Sequence, residues 1–174
     1  LWLEFDQDDA NCKELEVQVA LSPTGMEGAL KNLEAETAGR TFDEVRAAAR
    51  DQWAEQLGKM RVVGMDQEQT GVLRTAQYHT ALGPTLFSDV DGRYRGLDQR
   101  NHNGRDKWGA FKNYGTFSLW DTYRAQHPWL QLTEAMRNRE MARSMLAHQG
   151  QSVHGMLPIW SHHANDSHEF VEES

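Results

Sequence analysis

Cysteine occurs once in the 174 residues, at Cys12, so an intrachain disulfide is excluded and the redox compartment stays open. No apolar run approaches the ~18 residues a membrane-spanning helix needs, and no signal-peptide pattern opens the chain. Blocks of like charge are missing too. Acidic residues outnumber basic ones, 26 against 18, for a formal net charge of −8. Counterion release on nucleic acid needs clustered Lys and Arg, whereas the basic residues near 93–105 are interleaved with Asp89, Asp91, Asp98 and Asp106. No nucleic-acid partner and no membrane partner are expected. There is also no internal repeat and no initiator methionine; Leu-Trp-Leu-Glu-Phe opens the chain already in strand rhythm. The sequence reads as a piece of a longer polypeptide, with length for one or two domains.

What is present begins with period-2 alternation. Leu1, Leu3 and Phe5 alternate with Trp2 and Glu4, and Leu15, Val17, Val19 and Leu21 alternate with polar or small residues. Turn residues over 6–11 lie between, so an antiparallel hairpin is predicted. Two strands alone are marginal in water, which implies further neighbours. Ser22-Pro23-Thr24-Gly25 breaks the strand, and a short helical stretch follows over 26–36. Thr41-Phe42-Asp43-Glu44 is a capping-box pattern. Behind it Phe42, Val45, Ala49, Trp53, Leu57 and Met60 form one apolar stripe. A second helix is predicted over 67–82, with Val72, Leu73, Ala76 and His79 near one face and Pro84 past its end. A third is predicted over 132–149, carrying Leu132, Met136, Met141, Met145 and Leu146, and stopped by Gly150. Trp53, Met60, Met141 and Met145 are expected in the core.

Residues 83–118 are rich in Gly, Asp, Asn and Arg and show no sustained period, the mark of a long functional loop. Two runs stand out: Leu-Phe-Ser-Asp-Val-Asp-Gly-Arg-Tyr-Arg at 86–95, and Ser-Leu-Trp-Asp-Thr-Tyr-Arg-Ala-Gln-His-Pro at 118–128. Both set carboxylates beside aromatic rings and guanidinium groups. That mixture suits a polyhydroxylated ligand: carboxylates accept pairs of sugar hydroxyls, arginines donate, and an aromatic face packs on ring C–H groups. Asp89 and Asp91, two apart, can face one ligand. An Asx turn is the equal alternative, and a calcium loop the weaker one, since the terminal bidentate Glu is missing. Trp120 beside Asp121 suits a sugar subsite; a core Trp next to a helix N-cap Asp is the other reading. Arg124 either pairs with Asp121 or reaches the ligand. His127-Pro128 reads as structural, as do the isolated His102 and His154. His162, His163 and His168 have no zinc-type spacing.

These runs resemble the conserved blocks of the calcium-dependent exo-α-mannosidases classed as glycoside hydrolase family 92. Tyr78-His79-Thr80-Ala81-Leu82-Gly83-Pro84 leads into the first block, and Leu157-Pro158-Ile159-Trp160 followed by Ala164-Asn165-Asp166 resembles a third. The blocks occur in order over roughly 40–166. The resemblance implies a mixed fold: the end of a β-sandwich over 1–25, a linker over 26–40, and the first helices of an (α/α)6 barrel over 41–174. It implies an inverting exo-α-mannosidase acting on mannose-containing glycans (mannans or N-glycans) with Ca2+, and a secreted or periplasmic setting. Asp89, Asp91, Trp120, Asp121 and Arg124 would line the mannose pocket. Asp166 stands where the family has the catalytic glutamic acid. In inverting enzymes the two carboxyl groups sit ~6.5–9.5 Å apart to admit a water. The shorter Asp withdraws the proton by ~1 Å, and misplacement of that order costs ~100-fold. Trp160-Ser161 replaces a common Trp-Glu, and the residues after Asp166 read as an acidic tail. The base and most calcium contacts are expected beyond Ser174, so this piece alone is expected to be inactive. Alternatives are a mannose-1-phosphate diester hydrolase, whose leaving group needs less protonation, and a non-catalytic carbohydrate-binding fragment.

Overall fold

A computed structural model describes residues 16–153, 155–158, 161–162 and 165–166, the last two pairs as backbone alone. Most of the predicted N-terminal hairpin, Cys12, His154, Trp160, His163, His168 and the acidic tail lie outside the described residues. Over 16–22 the expected strand is not formed, and Val17, Val19 and Leu21 are exposed. Alternation only prepares a strand; a ladder partner makes one.

Three helices follow where the pattern places them. Helix α1 (Met26–Thr37) begins after Gly25. Helix α2 (Phe42–Gly58) carries the capping box: Glu44 N–H donates to Thr41 Oγ1 at 3.3 Å, and Thr41 N–H donates to Glu44 Oε2 at 2.8 Å. Helix α3 (Gln67–Ala81) has a second box, Asp66 with Gln69, with bonds of 2.8 and 3.2 Å. Helices α2 and α3 meet through Trp53 and Tyr78, whose ring centroids lie 4.9 Å apart.

The faces of this pair differ from expectation. None of α2 is buried: Phe42 is exposed, Trp53 is 38% exposed and Met60 is half-buried. On α3, Val72, Ala76 and His79 are exposed, while the buried residue is Gln77, which accepts from Arg74 Nη1 at 3.1 Å. An apolar stripe fixes a helix, but its burial needs a second surface.

The segment read as an irregular loop is folded into short antiparallel ribbons. Strand β1 (Thr85–Leu86) pairs with β6 (Tyr114–Gly115), and that outer ribbon encloses two others: β2 (Arg93–Arg95) with β3 (Asn101–Asn103), and β4 (Arg105–Asp106) with β5 (Gly109–Ala110). Two- and three-residue strands are too short to show a period, which is why the sequence reads as loop. Gly104 joins β3 to β4, where an added Cβ would collide with the Phe111 carbonyl.

The helix predicted over 132–149 is the last of three: α4 (Leu119–Thr122), α5 (Gln126–Thr133) and α6 (Ala135–Gln151). Pro128 is tolerated because it sits in the first turn of α5, where amides have no helical partner. The break falls at Glu134, whose φ is −146° and whose carboxylate binds Gln56, Lys59 (3.2 Å) and Arg137 (3.7 Å). Burial pushes this carboxyl up, but the bonds from Gln56 and Lys59 outweigh it and hold it below the usual range. Helix α6 runs through Gly150 instead of stopping there, since glycine costs a helix only about 1 kcal/mol. The core is Tyr114, Phe117, Leu130 and Met141, with Leu119, Trp129 and Met145 packed against it. Met141 is 0% exposed, as its helical spacing predicts; Leu132 and Met136 are exposed. A last ribbon pairs β7 (Ser161–His162) with β8 (Asn165–Asp166). Among the described residues no helix is long and apolar enough to cross a membrane.

Candidate functional site

The run at 86–95 is built around a tight turn. Gly92 N–H donates to Asp89 O at 2.9 Å, Asp89 N–H donates to Arg93 O at 2.8 Å, and Gly92 takes a φ of +84°. Asp91 closes an Asx turn, its Oδ1 accepting from Arg93 N–H at 3.1 Å. The turn reading therefore holds for this segment.

Asp89 and Asp91 turn to different partners, although both line one open cleft. Asp89 is 4% exposed and points into the fold. Its Oδ2 accepts from Ser22 Oγ at 2.8 Å and from Thr24 Oγ1, and its Oδ1 accepts from Asn32 Nδ2 at 2.8 Å. Asn32 returns through its Oδ1 to Val90 N–H at 2.9 Å. Gly28 makes room for this hub, since a Cβ there would collide with Asp89 Oδ2 and Ser22 Oγ. A carboxylate so occupied holds the turn in place. Asp91 stays at the surface, paired with Arg93 Nε at 2.9 Å and Lys31 Nζ at 3.3 Å. The Arg93 amide, then Lys31 and the Arg93 guanidinium, hold its carboxyl below the usual range against the opposing effect of burial. It lines an open cleft of about 770 Å3 with Glu36, Lys112, Arg105 and Glu140.

The run at 118–128 leaves the other end of the outer ribbon. Thr85 pairs with Gly115 and Leu86 with Tyr114, so the chain beyond β1 and the chain beyond β6 depart in opposite directions. The first residue after β6, Thr116, has φ +57°, an outlier for a β-branched side chain. Its hydroxyl secures the bend: Oγ1 donates to Gly115 O at 2.7 Å and accepts from Thr85 N–H at 3.1 Å. Backbone strain of this kind costs on the order of 1–3 kcal/mol and gathers at functional segments. Here it aims the chain into α4.

Asp121 is not the N-cap. Ser118 holds that position, and Asp121 sits in the first turn, accepting from the Ser118 hydroxyl. Arg124 does not pair with Asp121; its Nε donates to Tyr123 Oη at 2.7 Å, and its guanidinium lies 5.5 Å from that ring's centroid. Trp120 is 62% exposed and Tyr123 is also exposed, so the core-Trp reading fails. Two exposed rings, a carboxylate and a guanidinium thus share one short segment. His127 is structural as expected, its Nδ1 bonded to Asn138 Oδ1 at 2.9 Å.

Behind the two groups lies a buried polar brace the sequence does not advertise. Asn113 N–H donates to Ser88 Oγ at 2.6 Å, and its Oδ1 bonds to His148 Nε2 at 3.0 Å. Tyr114 N–H donates to Ser144 Oγ at 2.9 Å. This ties α6 to the strand leading into the second run. Burial pushes His148 down to about 4, so it is neutral at pH 7. Ser22, Thr24, Asn32, Asn113, Ser144 and His148 were all missed in sequence, because their partners lie tens of residues away. Asp166 falls in β8, opposite Ser161, where the description is of backbone alone.

Comparison with known proteins gives this geometry a context. The family model described as the glycosyl hydrolase family 92 catalytic domain matches residues 28–171. Among solved structures, the family GH92 alpha-mannosidase BT3965 from Bacteroides thetaiotaomicron is similar at TM-score 0.77 and 43% identity, over 83% of this chain and 19% of its own. The same enzyme in complex with mannoimidazole gives TM-score 0.77 and 43% identity, over 83% of this chain and 18% of its own. The inverting mannosidase BT2199 from Bacteroides thetaiotaomicron VPI-5482 gives TM-score 0.70 and 27% identity, over 78% of this chain and 18% of its own. The chain spans about a fifth of the length of these structures, 19% of the first. No curated protein matches it.

Proposed function

The chain belongs to glycosyl hydrolase family 92, and from that premise we propose that it is part of an inverting, exo-acting α-mannosidase releasing terminal α-linked mannose from mannans or N-glycans. The observation that carries this is the family match over 28–171 together with 43% identity to an α-mannosidase. In this reading residues 1–25 end a β-sandwich, 26–40 link, and the helices from α2 onward open an (α/α)6 barrel. The protein works outside the cytoplasm, secreted or periplasmic.

The chemistry asks for an apolar platform, hydroxyl acceptors and donors, and two carboxyl groups on opposite sides of the glycosidic bond. Trp120 and Tyr123 offer the platform; Asp121, Arg124 and Asp91 offer polar contacts; Asp89 holds the turn that presents Asp91. Asp166 protonates the leaving oxygen while a carboxylate from elsewhere in the enzyme activates water on the other face. Among the described residues no three His, Cys, Asp or Glu side chains gather into a metal site. Ca2+ would be held in the complete enzyme.

The test is hydrolysis of an aryl α-mannoside by the full-length protein. Turnover is expected, with Trp120→Ala raising KM roughly tenfold and Asp121→Asn lowering kcat/KM ~100-fold. Mannose binding without turnover would favour the carbohydrate-binding reading instead. A second hydrolase reading draws on Asp166: a phosphate leaving group tolerates a withdrawn acid, so faster cleavage of mannosyl phosphates than aryl mannosides would select mannose-1-phosphate diesters as substrate.

A further inference from the structure

The outward side chains of the second run sit on a loop whose two ends are fastened to the same short stretch, residues 80–85. Within the loop the chain has two faces. Leu119 packs against the core and Thr122, three residues on, is buried, which leaves Trp120, Asp121, Tyr123 and Arg124 exposed. Upstream, Thr116 is tied to Thr85: its Oγ1 accepts from Thr85 N–H at 3.1 Å and lies 2.9 Å from Thr85 Oγ1. Downstream, Gln126 is tied to the end of α3. Its Nε2 donates to Thr80 O at 3.0 Å and also to Gly83 O.

The last carbonyls of a helix have no partner inside it, and one Gln126 nitrogen serves two carbonyls at this end. Ala81 O and Pro84 O are held separately, by Arg137 Nη2 of α6 at 3.4 and 3.5 Å. Helices α3 and α6 therefore stay joined without Gln126. The loop does not. Between Thr122 and Leu130 no side chain is buried, and Gln126 lies midway. Among the described residues Gln126 ties that stretch to α3, while His127 ties it to Asn138 of α6. A ring on a loop held at both ends loses little further freedom when a ligand stacks on it. A loosened loop presents the ring only part of the time, and the apparent affinity falls by that fraction.

We propose that Gln126 is a positioning residue: by fastening the loop to α3 it holds the Trp120 ring and the Asp121 carboxylate where a terminal pyranose meets them. This rests on the mannosidase reading above and deepens it to a residue that acts through others. The experiment compares Gln126→Ala and Gln126→Glu in the full-length protein on an aryl α-mannoside. Ala removes both hydrogen bonds, and Glu keeps the size without the donor protons. Both variants are expected to raise KM about three- to tenfold, with kcat within about twofold of wild type. A purely structural role would shrink the folded fraction and lower apparent kcat at unchanged KM. That result, or wild-type kinetics in either variant, would overturn the proposal. Added to Trp120→Ala, Gln126→Ala is expected to raise KM by clearly less than the product of the two single effects; a full product means independent residues and overturns it too. Should the wild type hydrolyse no α-mannoside, the mannosidase reading fails, and trypsin cleavage after Arg124 in the folded protein then decides the hold itself. Faster cleavage there in Gln126→Ala than in wild type supports it; an unchanged rate overturns it.

Discussion

Helices α2–α3 and helices α5–α6 are both amphipathic pairs, yet only the second pair owns a core. Met141 on α6 is 0% exposed against Phe117 and Leu130, whereas α2 buries nothing and α3 buries only Gln77. The difference lies in what faces each stripe. Helix α6 meets the strand β6 and the aromatic residues after it, while among the described residues the Trp53 ring of α2 packs on Tyr78. A 3.6-residue period therefore reports the local structure and one sticky face, and leaves the identity of the covering surface to tertiary context.

The sharpest way to break that contrast is a pair of truncations in the 174-residue chain. Met141→Ala is expected to destabilise it by about 2–5 kcal/mol in urea unfolding, through lost burial plus a cavity. Val72→Ala, on the exposed face of α3, is expected to stay within about 0.5 kcal/mol. The same pair made in a longer protein narrows the gap if α3 finds its partner there.

Acid sharpens it next. His148, in the packed region, is pushed by burial down to about 4 from an ordinary 6.5. Below pH 6.5 the unfolded chain takes up a proton that the folded chain refuses, so stability falls as pH drops and the loss is complete near 4. The full effect is on the order of 3 kcal/mol. His148→Gln is expected to flatten the pH dependence of unfolding between 6.5 and 4; an unchanged slope would show that this histidine is not desolvated.

A smaller contrast separates the two aspartates. Asp89→Ala strands the Ser22, Thr24 and Asn32 donors and is expected to cost about 1–3 kcal/mol. Asp91→Ala removes surface ion pairs and is expected to cost about 1 kcal/mol or less. Differential unfolding of the two variants measures this, and equal costs would contradict the hub.

The positions of α1, α2, α3 and most of α6 and the Thr41 capping box were legible because each is written within a few residues, whereas α4 and α5 were not predicted. The ribbons of 85–115 were not, since strands of two or three residues carry no period. The break at Glu134 was hidden for a different reason: Gln56 and Lys59, on and beside α2, hold its carboxylate. At the candidate site, two side chains take orientations that the sequence does not report. Asp89 turns inward because three donors converge on it from 22–32, and Arg124 turns to Tyr123 rather than Asp121. Long-range partners decide such orientations, and no spacing rule reports them.

The proposed activity is tested most directly by proton NMR of an α-mannoside mixed with the full-length protein, read before mutarotation. An inverting α-mannosidase yields β-mannose first. Initial α-mannose would contradict inversion, and no released mannose would contradict the activity itself.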